Sequence, residues 1–277
     1  MKKTVLRGIS VLIMVLVQLC TAFGTSHAVN FYDGARAKEG LYFLTYTSAY
    51  IAEDFTNHSG DTVNHDYGLF KAEELVRFCY YTPNFVATAL VPYDYLEVRS
   101  LNQKSNGLGD INLGAGYFLP VRSVDILPMV FVKFPTGEYD RNKIVNVGSH
   151  QYDIKPTVFL YKAFGDFSVD AAAKYVFRLE NNDTRVSPGD ELYLQLLLGY
   201  QATDKFKFGP SINWMKSRDK EINDVTISNS SRETLSVGAD FYYRFPKLNV
   251  TFTYLYDAYA ENSAKGHFFQ LKTVYYF

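Results

Sequence analysis

From about residue 40 to residue 277 the sequence alternates apolar and polar side chains with a period of two, segment after segment. In 191–201, Leu192, Leu194, Leu196, Leu198 and Tyr200 form one face, and Glu191, Tyr193, Gln195, Leu197, Gly199 and Gln201 the other. In 167–180, Phe167, Val169, Ala171, Ala173, Tyr175 and Phe177 oppose Ser168, Asp170, Ala172, Lys174, Val176 and Arg178. In 232–245, Leu235, Val237, Ala239, Phe241 and Tyr243 oppose Arg232, Thr234, Ser236, Gly238, Asp240 and Arg244. Side chains alternate faces along a strand, so each segment is a strand with one apolar side and one polar, often charged, side. The spacing predicts about twelve strands, near 41–52, 68–82, 84–96, 108–119, 125–135, 152–163, 166–179, 190–202, 204–217, 231–245, 247–257 and 265–277.

The connections narrow the architecture. Those after even-numbered strands are short, as at Pro83, Phe164-Gly165, Thr203 and Pro246. Those after odd-numbered strands are expected to be long and polar: 53–67, 97–107, 136–151, 180–189, 218–230 and 258–264. Short turns at one end and long loops at the other characterise an all-β, transmembrane, antiparallel up-and-down barrel of outer-membrane type. Both ends of the barrel sequence then lie on the periplasmic side. A soluble sandwich also alternates, but its apolar faces point inward and its surface would not carry so many rings. A lipocalin-like barrel has eight strands and an apolar interior. The ending Phe269, Leu271, Thr273, Tyr275 and Phe277 resembles the signal by which the outer-membrane assembly machinery recognises its clients.

Composition agrees. The chain is 47% hydrophobic and 21% charged, with a formal net charge of −1, which excludes a disordered chain and a strongly basic nucleic-acid binder. Aromatic residues make up 17%. On a barrel they belong to the lipid face and to interfacial girdles, where a ring with a polar tip is favoured. Tyr80, Tyr117, Tyr243, Tyr254, Tyr256 and Tyr275 are expected near strand ends, in those girdles. The barrel's partners would be outer-membrane lipid, lipopolysaccharide, the assembly machinery and a small solute.

Residues 1–28 read as a secretory signal peptide: Lys2, Lys3 and Arg7 precede the apolar run 9–19, and Ser26 and Ala28 are small residues before Val29. Cys20 also permits a lipoprotein reading, against which the bulky Leu19 stands. The barrel domain is then 29–277. Its one cysteine, Cys79, is expected as a buried or wall-facing small residue.

With the apolar faces toward lipid, the lumen receives Glu73, Arg77, Asp110, Lys133, Asp153, Lys155, Asp170, Lys174, Arg178, Glu191, Arg232, Asp240, Arg244 and Lys272. These interleaved charges admit two readings, a salt-bridged filling that stabilises a small barrel and a narrow polar path that steers a solute. Phe159, Tyr161, Tyr193, Leu197, Tyr242 and Phe268 add aromatic and apolar lumen positions suited to an amphipathic or aromatic solute. An outer-membrane lipid hydrolase is a rival reading, but His58, His65, His150 and His267 all fall in loops or near loop ends, with none centred on an outer strand face. A structural or surface-recognition barrel with a closed lumen is another, for which loop 53–66 supplies Glu53, Asp54, Asp61 and Asp66 and no Lys or Arg. Nothing in the pattern calls for a cofactor or a metal, although the histidines with Asp61 and Asp66 leave a metal site open.

Several segments go beyond a generic barrel: Gly107-Leu108-Gly109-Asp110-Ile111, Lys133-Phe134-Pro135-Thr136-Gly137-Glu138-Tyr139-Asp140, Val145-Asn146-Val147-Gly148 with Pro156, Asn181-Asn182-Asp183-Thr184, and Ser187-Pro188-Gly189-Asp190-Glu191. Together they resemble the outer-membrane family named for the MetA pathway of phenol degradation, over roughly residues 40–277. The sequence departs from the family pattern at 149–152, where Ser-His-Gln-Tyr stands in place of an expected aromatic such as Trp. The resemblance implies a channel or uptake protein for small, often aromatic or hydrophobic compounds, with no catalytic residues to carry over. Pro135 and Gly137 suit a sharp exit from the sheet into a loop that folds inward, and Asp110 is expected on the lumen face beside Gly114 and Gly116.

Overall fold

The computed structural model describes residues 28–276. The signal-peptide reading falls on residues 1–28, all but Ala28 outside the described ones. Among the described residues seventeen strands run in chain order: β1 (Gly40–Thr56), β2 (Thr62–Asn64), β3 (Leu69–Tyr81), β4 (Phe85–Val98), β5 (Gln103–Leu108), β6 (Asn112–Tyr117), β7 (Asp125–Lys133), β8 (Asp153–Phe164), β9 (Phe167–Arg178), β10 (Val186–Ser187), β11 (Glu191–Gln201), β12 (Phe206–Ser217), β13 (Glu221–Ile222), β14 (Val225–Thr226), β15 (Glu233–Arg244), β16 (Leu248–Glu261) and β17 (Ala264–Tyr276). Each long strand pairs antiparallel with its neighbours, and β17 returns to pair with β1, from Tyr42 opposite Tyr276 to Phe55 opposite Ala264. The result is a closed barrel of twelve strand positions, with β5 and β6 sharing one of them beside β4. Closure removes the free edges that would otherwise expose backbone N–H and C=O groups to hydrocarbon.

The period-two reading sets the faces correctly. Leu194, Leu196 and Leu198 are exposed on the outside of β11, while Glu191, Tyr193 and Leu197, of the opposite parity, are buried in the lumen. A 12-residue strand is about 40 Å long, enough at barrel tilt to cross the apolar band with some length to spare. Outward rings gather near both ends. Tyr80, Phe85, Tyr117, Phe164, Phe167, Tyr200 and Tyr243 lie toward the short-turn end, and Phe70, Phe177 and Tyr259 toward the other. Cys79 is buried in the wall with Sγ 3.1 Å from Thr88 Oγ1.

Three expectations change. The connection 258–264 is not a long loop: β16 continues to Glu261 and turns through Asn262, at φ 47°, and Ser263 into β17. For the same reason Tyr254 and Tyr256 lie in the middle of β16, not in a girdle, because the strand runs four residues past its expected end. His267 lies near a strand end as expected, the fourth residue of β17, on its outer face with Nδ1 2.9 Å from Tyr254 Oη. The strand expected at 108–119 is broken at Gly109–Ile111, and its first part belongs to a hairpin, since β5 folds back on the upper half of β4. Other long loops carry structure of their own. A short 3-10 turn, Arg99–Leu101, links β4 to β5, and β10, β13 and β14 form a small sheet over the mouth.

Candidate functional site: the barrel lumen

The lumen is divided into two levels by the chain itself. Residues 28–36, before β1, run up inside the barrel from the short-turn end, and Ala28, Val29, Asn30 and Phe31 are almost completely buried there. Asn30 Nδ2 donates to Asp240 Oδ1 at 3.0 Å and to Thr253 Oγ1 at 2.9 Å, and its Oδ1 accepts from Gln270 Nε2 at 2.9 Å. The Tyr32 N–H donates to Asp170 Oδ1 at 2.6 Å, and Lys272 pairs with Asp33. Apolar packing adds to these bonds: Val29 and Phe31 join Ala172, Leu197 and Tyr242 in one cluster. Lys207 Nζ lies 4.3 Å from the Tyr32 ring centroid and 4.9 Å from that of Phe31, within cation–π range. Gly199 makes room for this arrangement, since a Cβ there would come within 2.4 Å of Lys207 and 2.7 Å of the Phe31 ring. Arg36 fastens the entry: its Nη1 donates to Pro83 O at 2.7 Å, its Nη2 to Leu119 O at 2.9 Å, and its Nε pairs with Asp125 at 3.2 Å. Thus Asp170, Asp240 and Lys272, expected to line a solute path, hold an internal plug.

The upper level is a belt of ion pairs. Lys133 bridges Asp110 at 3.4 Å and Asp153 at 2.9 Å. Arg178 joins Asp153 at 3.9 Å to Glu191 at 3.0 Å, and Glu191 also takes Arg232. Six of the sequence-predicted residues therefore form one continuous network over β6 to β15. Glu73 belongs to a second group, where Lys71 Nζ lies 3.1 Å from both Glu73 and Asp94. Arg77 donates to Thr88 Oγ1 at 3.0 Å and to Tyr46 Oη at 3.2 Å. Lys155 Nζ donates to Asn112 Oδ1 at 2.9 Å, and Lys174 Nζ lies 4.0 Å over the Tyr193 ring. Arg244 is set apart, exposed at the short-turn end with Nε 3.4 Å from Tyr242 Oη.

Sequence reasoning missed Lys71, Asp94, Lys207 and Asp257 as lumen residues. For Lys71 the signal was available, because it shares strand parity with Glu73; Asp94, Lys207 and Asp257 lie on strands for which no lumen face was read. It also missed the plug, whose nine residues carry no periodicity.

Loop 134–152 folds into the upper mouth, as Pro135 and Gly137 suggest. Asp110 Oδ1 accepts the Gly137 N–H and Oδ2 accepts the Ser149 N–H, each at 2.9 Å. Gly137 and Gly148 cross so closely that a Cβ on either would fall within 2.7 Å of the other's backbone. Val145 is fully buried among Leu96, Val98 and Tyr67. Asp110 therefore anchors this loop as well as joining the belt.

Between plug and loops lies a cavity of about 590 Å³, reaching from Ala28 and Val29 to Asn142 and Thr184. Its walls combine charged groups with Phe131, Phe159, Leu75 and Leu90. That volume falls within the range of small-molecule sites.

A closed twelve-stranded barrel with an apolar exterior, a charged lumen and tight turns at one end is a β-barrel of the outer-membrane type. The chain belongs to the family described as MetA-pathway of phenol degradation, which it matches over residues 49–273. Its fold is similar to that of an outer membrane channel from Pseudomonas putida F1, with a TM-score of 0.83 at 18% identity, covering 90% of this chain and 100% of that one. It is also similar to the NanC porin, TM-score 0.53 at 12% identity, covering 84% and 100%, and to the CymD monoaromatic hydrocarbon channel, TM-score 0.50 at 11% identity, covering 92% and 96%. No curated protein sequence matches the chain.

Proposed function

We propose that this barrel is a passive uptake channel of the bacterial outer membrane for small aromatic or hydrophobic compounds. The observation that carries the reading is the upper cavity, which offers aromatic and aliphatic walls inside an otherwise charged lumen and is bounded by a plug and inward-folded loops. An open porin would present a wide aqueous passage. Here the plug and loop 134–152 occupy the cross-section, so passage depends on contact with the walls. The family's link to phenol degradation and the likeness to CymD, a monoaromatic hydrocarbon channel, support the same solute class. The lumen residues named from the sequence serve this reading in two ways. Asp110, Lys133, Asp153, Arg178, Glu191 and Arg232 fix the wall, and Lys155 and Lys174 face the solute. No observation favours the hydrolase reading: the contacts of His65, His150 and His267 are to Asp54, Asp183 and Tyr254, none of them to a serine, threonine or cysteine nucleophile, and His58 lies exposed in a turn.

In a planar bilayer the purified protein is expected to give small conductance steps that millimolar phenol or an aromatic acid reduces. Large steps of an open porin, insensitive to aromatics, would overturn the proposal.

A further inference from the structure

We propose that loop 134–152 is a hinged lid on the upper cavity, and that its tip, residues 139–147, swings off an apolar seat at the mouth to admit a hydrophobic solute. The inference rests on the uptake reading and adds the route of entry from outside.

The two ends of the loop are held by different chemistry. At the base its limbs cross at Gly137 and Gly148, and the crossing is pinned to the wall. Asp110 accepts the N–H groups of Gly137 and Ser149 and the Ser149 hydroxyl, and Lys133 pairs with the same carboxylate at 3.4 Å. Glu138 N donates to Leu108 O at 2.9 Å, and Gly148 N to Glu138 O at 2.8 Å. Hydrogen bonds to an ionised carboxylate are stronger than those between neutral groups. The hold at the tip is neutral. Ile144 N and Val145 N donate to one amide oxygen, Gln103 Oε1, at 3.0 and 3.1 Å. Val145 fills a seat formed by Phe55, Tyr67, Leu69, Leu96 and Val98.

The tip is also braced on itself. Asn146 Oδ1 accepts the Asp140 N–H at 2.8 Å, and its Nδ2 donates to Asp140 O at 3.1 Å and to Lys143 O at 2.9 Å. Lys143 N donates to Asp140 O at 3.0 Å. A segment bonded in this way moves as one body, without unfolding, when its seat is vacated. The pivot is the contact of two glycines, where no side chain interlocks the limbs. Asn142, Ile144 and Val147 line the cavity at its upper end, so lifting the tip uncovers it.

Selectivity follows from the seat. Lifting Val145 exposes apolar surface to water, which keeps the lid shut at rest. An aromatic or aliphatic solute entering the emptied seat covers that surface again, and it can do so only in the open form. A ligand that binds one of two states shifts the population toward it. A sugar offers no such compensation.

The test ties the tip to its seat. Gln103→Cys with Ile144→Cys is linked in the full barrel by a short bifunctional thiol reagent that a reducing agent cleaves. Cys79 is buried in the wall, away from the reagent. Barrel-dependent uptake of labelled phenol is then followed in outer-membrane vesicles, with folding checked by the heat-dependent mobility shift of barrels on a denaturing gel. The link is expected to cut uptake several-fold and reduction to restore it, whereas capping each thiol separately leaves it high. Uptake unaffected by the link would overturn the lid and leave the uptake reading standing. No barrel-dependent uptake by the unaltered protein would overturn both. Should the double variant not fold, hydrogen exchange on the unaltered protein decides. The Ile144 and Val145 amides are expected to exchange about ten-fold faster than those of Gly137 and Ser149, because the tip opens locally and the base does not. Equal rates at tip and base would overturn the lid.

Discussion

Deleting residues 29–36 raises single-channel conductance several-fold and lets small hydrophilic solutes through in liposome swelling. The reasoning is geometric. A barrel of twelve strands encloses little free cross-section once side chains fill it, and here its lower half is taken by Val29, Phe31 and Tyr32, packed against Tyr161, Leu197 and Tyr242. Removal leaves Asp170, Asp240 and Lys272 facing water, and their hydration replaces the bonds to the plug without collapsing the sheet. The strands therefore still close while the path widens. Conductance unchanged by the deletion would show that the flow of ions is limited at loop 134–152, not at the plug. The point substitution Asn30→Ala gives a weaker version of the same effect, since it removes the bonds to Asp240, Thr253 and Gln270 but keeps the apolar packing.

The largest effect on stability is expected from Glu191→Ala. Glu191 accepts from Arg178 and Arg232 and from Tyr193 Oη at 2.7 Å, and its side chain is almost wholly buried. Its loss leaves two guanidinium groups in the wall with much of their charge unanswered, since Arg178 keeps only Asp153, at 3.9 Å. Breaking a buried pair by removing one partner costs about 3–5 kcal/mol. Urea unfolding followed by the gel mobility shift measures this loss. Glu191→Gln, which keeps the acceptor oxygen, is expected to lose less. An unchanged midpoint for the alanine variant would mean that water at the mouth solvates both arginines, and the belt would then be a lining rather than a brace.

Much of this was legible in the sequence because a barrel wall is a one-dimensional pattern. Strand parity alone put Glu73, Asp153, Arg178, Glu191 and Arg232 inside and Leu194, Phe177 and Tyr243 outside, since a half-turn per residue leaves no third choice. What parity cannot report is what meets a side chain across the lumen. Lys133 reaches Asp110 and Asp153 because β6, β7 and β8 are neighbours, whereas Lys272 meets Asp33 from a segment 239 residues away in sequence. The plug was illegible for the same reason: Asn30 and Tyr32 have no period, and their meaning lies in acceptors on β9, β15 and β16. Loop lengths were readable only up to the point where a strand continues above the membrane. Tyr254 and Tyr256 were misplaced because β16 holds its pairing as far as Glu261, where the extra hydrogen bonds compensate for leaving the hydrocarbon band.

The central claim is that the lumen conducts small aromatics across a barrier they otherwise cross slowly. Lipopolysaccharide provides that barrier, so the decisive measurement is the initial uptake of labelled phenol by outer-membrane vesicles from a porin-deficient host, with and without this protein. Uptake is expected to rise several-fold at low micromolar phenol, while a disaccharide of larger cross-section gains nothing. Equal phenol uptake with and without the barrel would contradict the account.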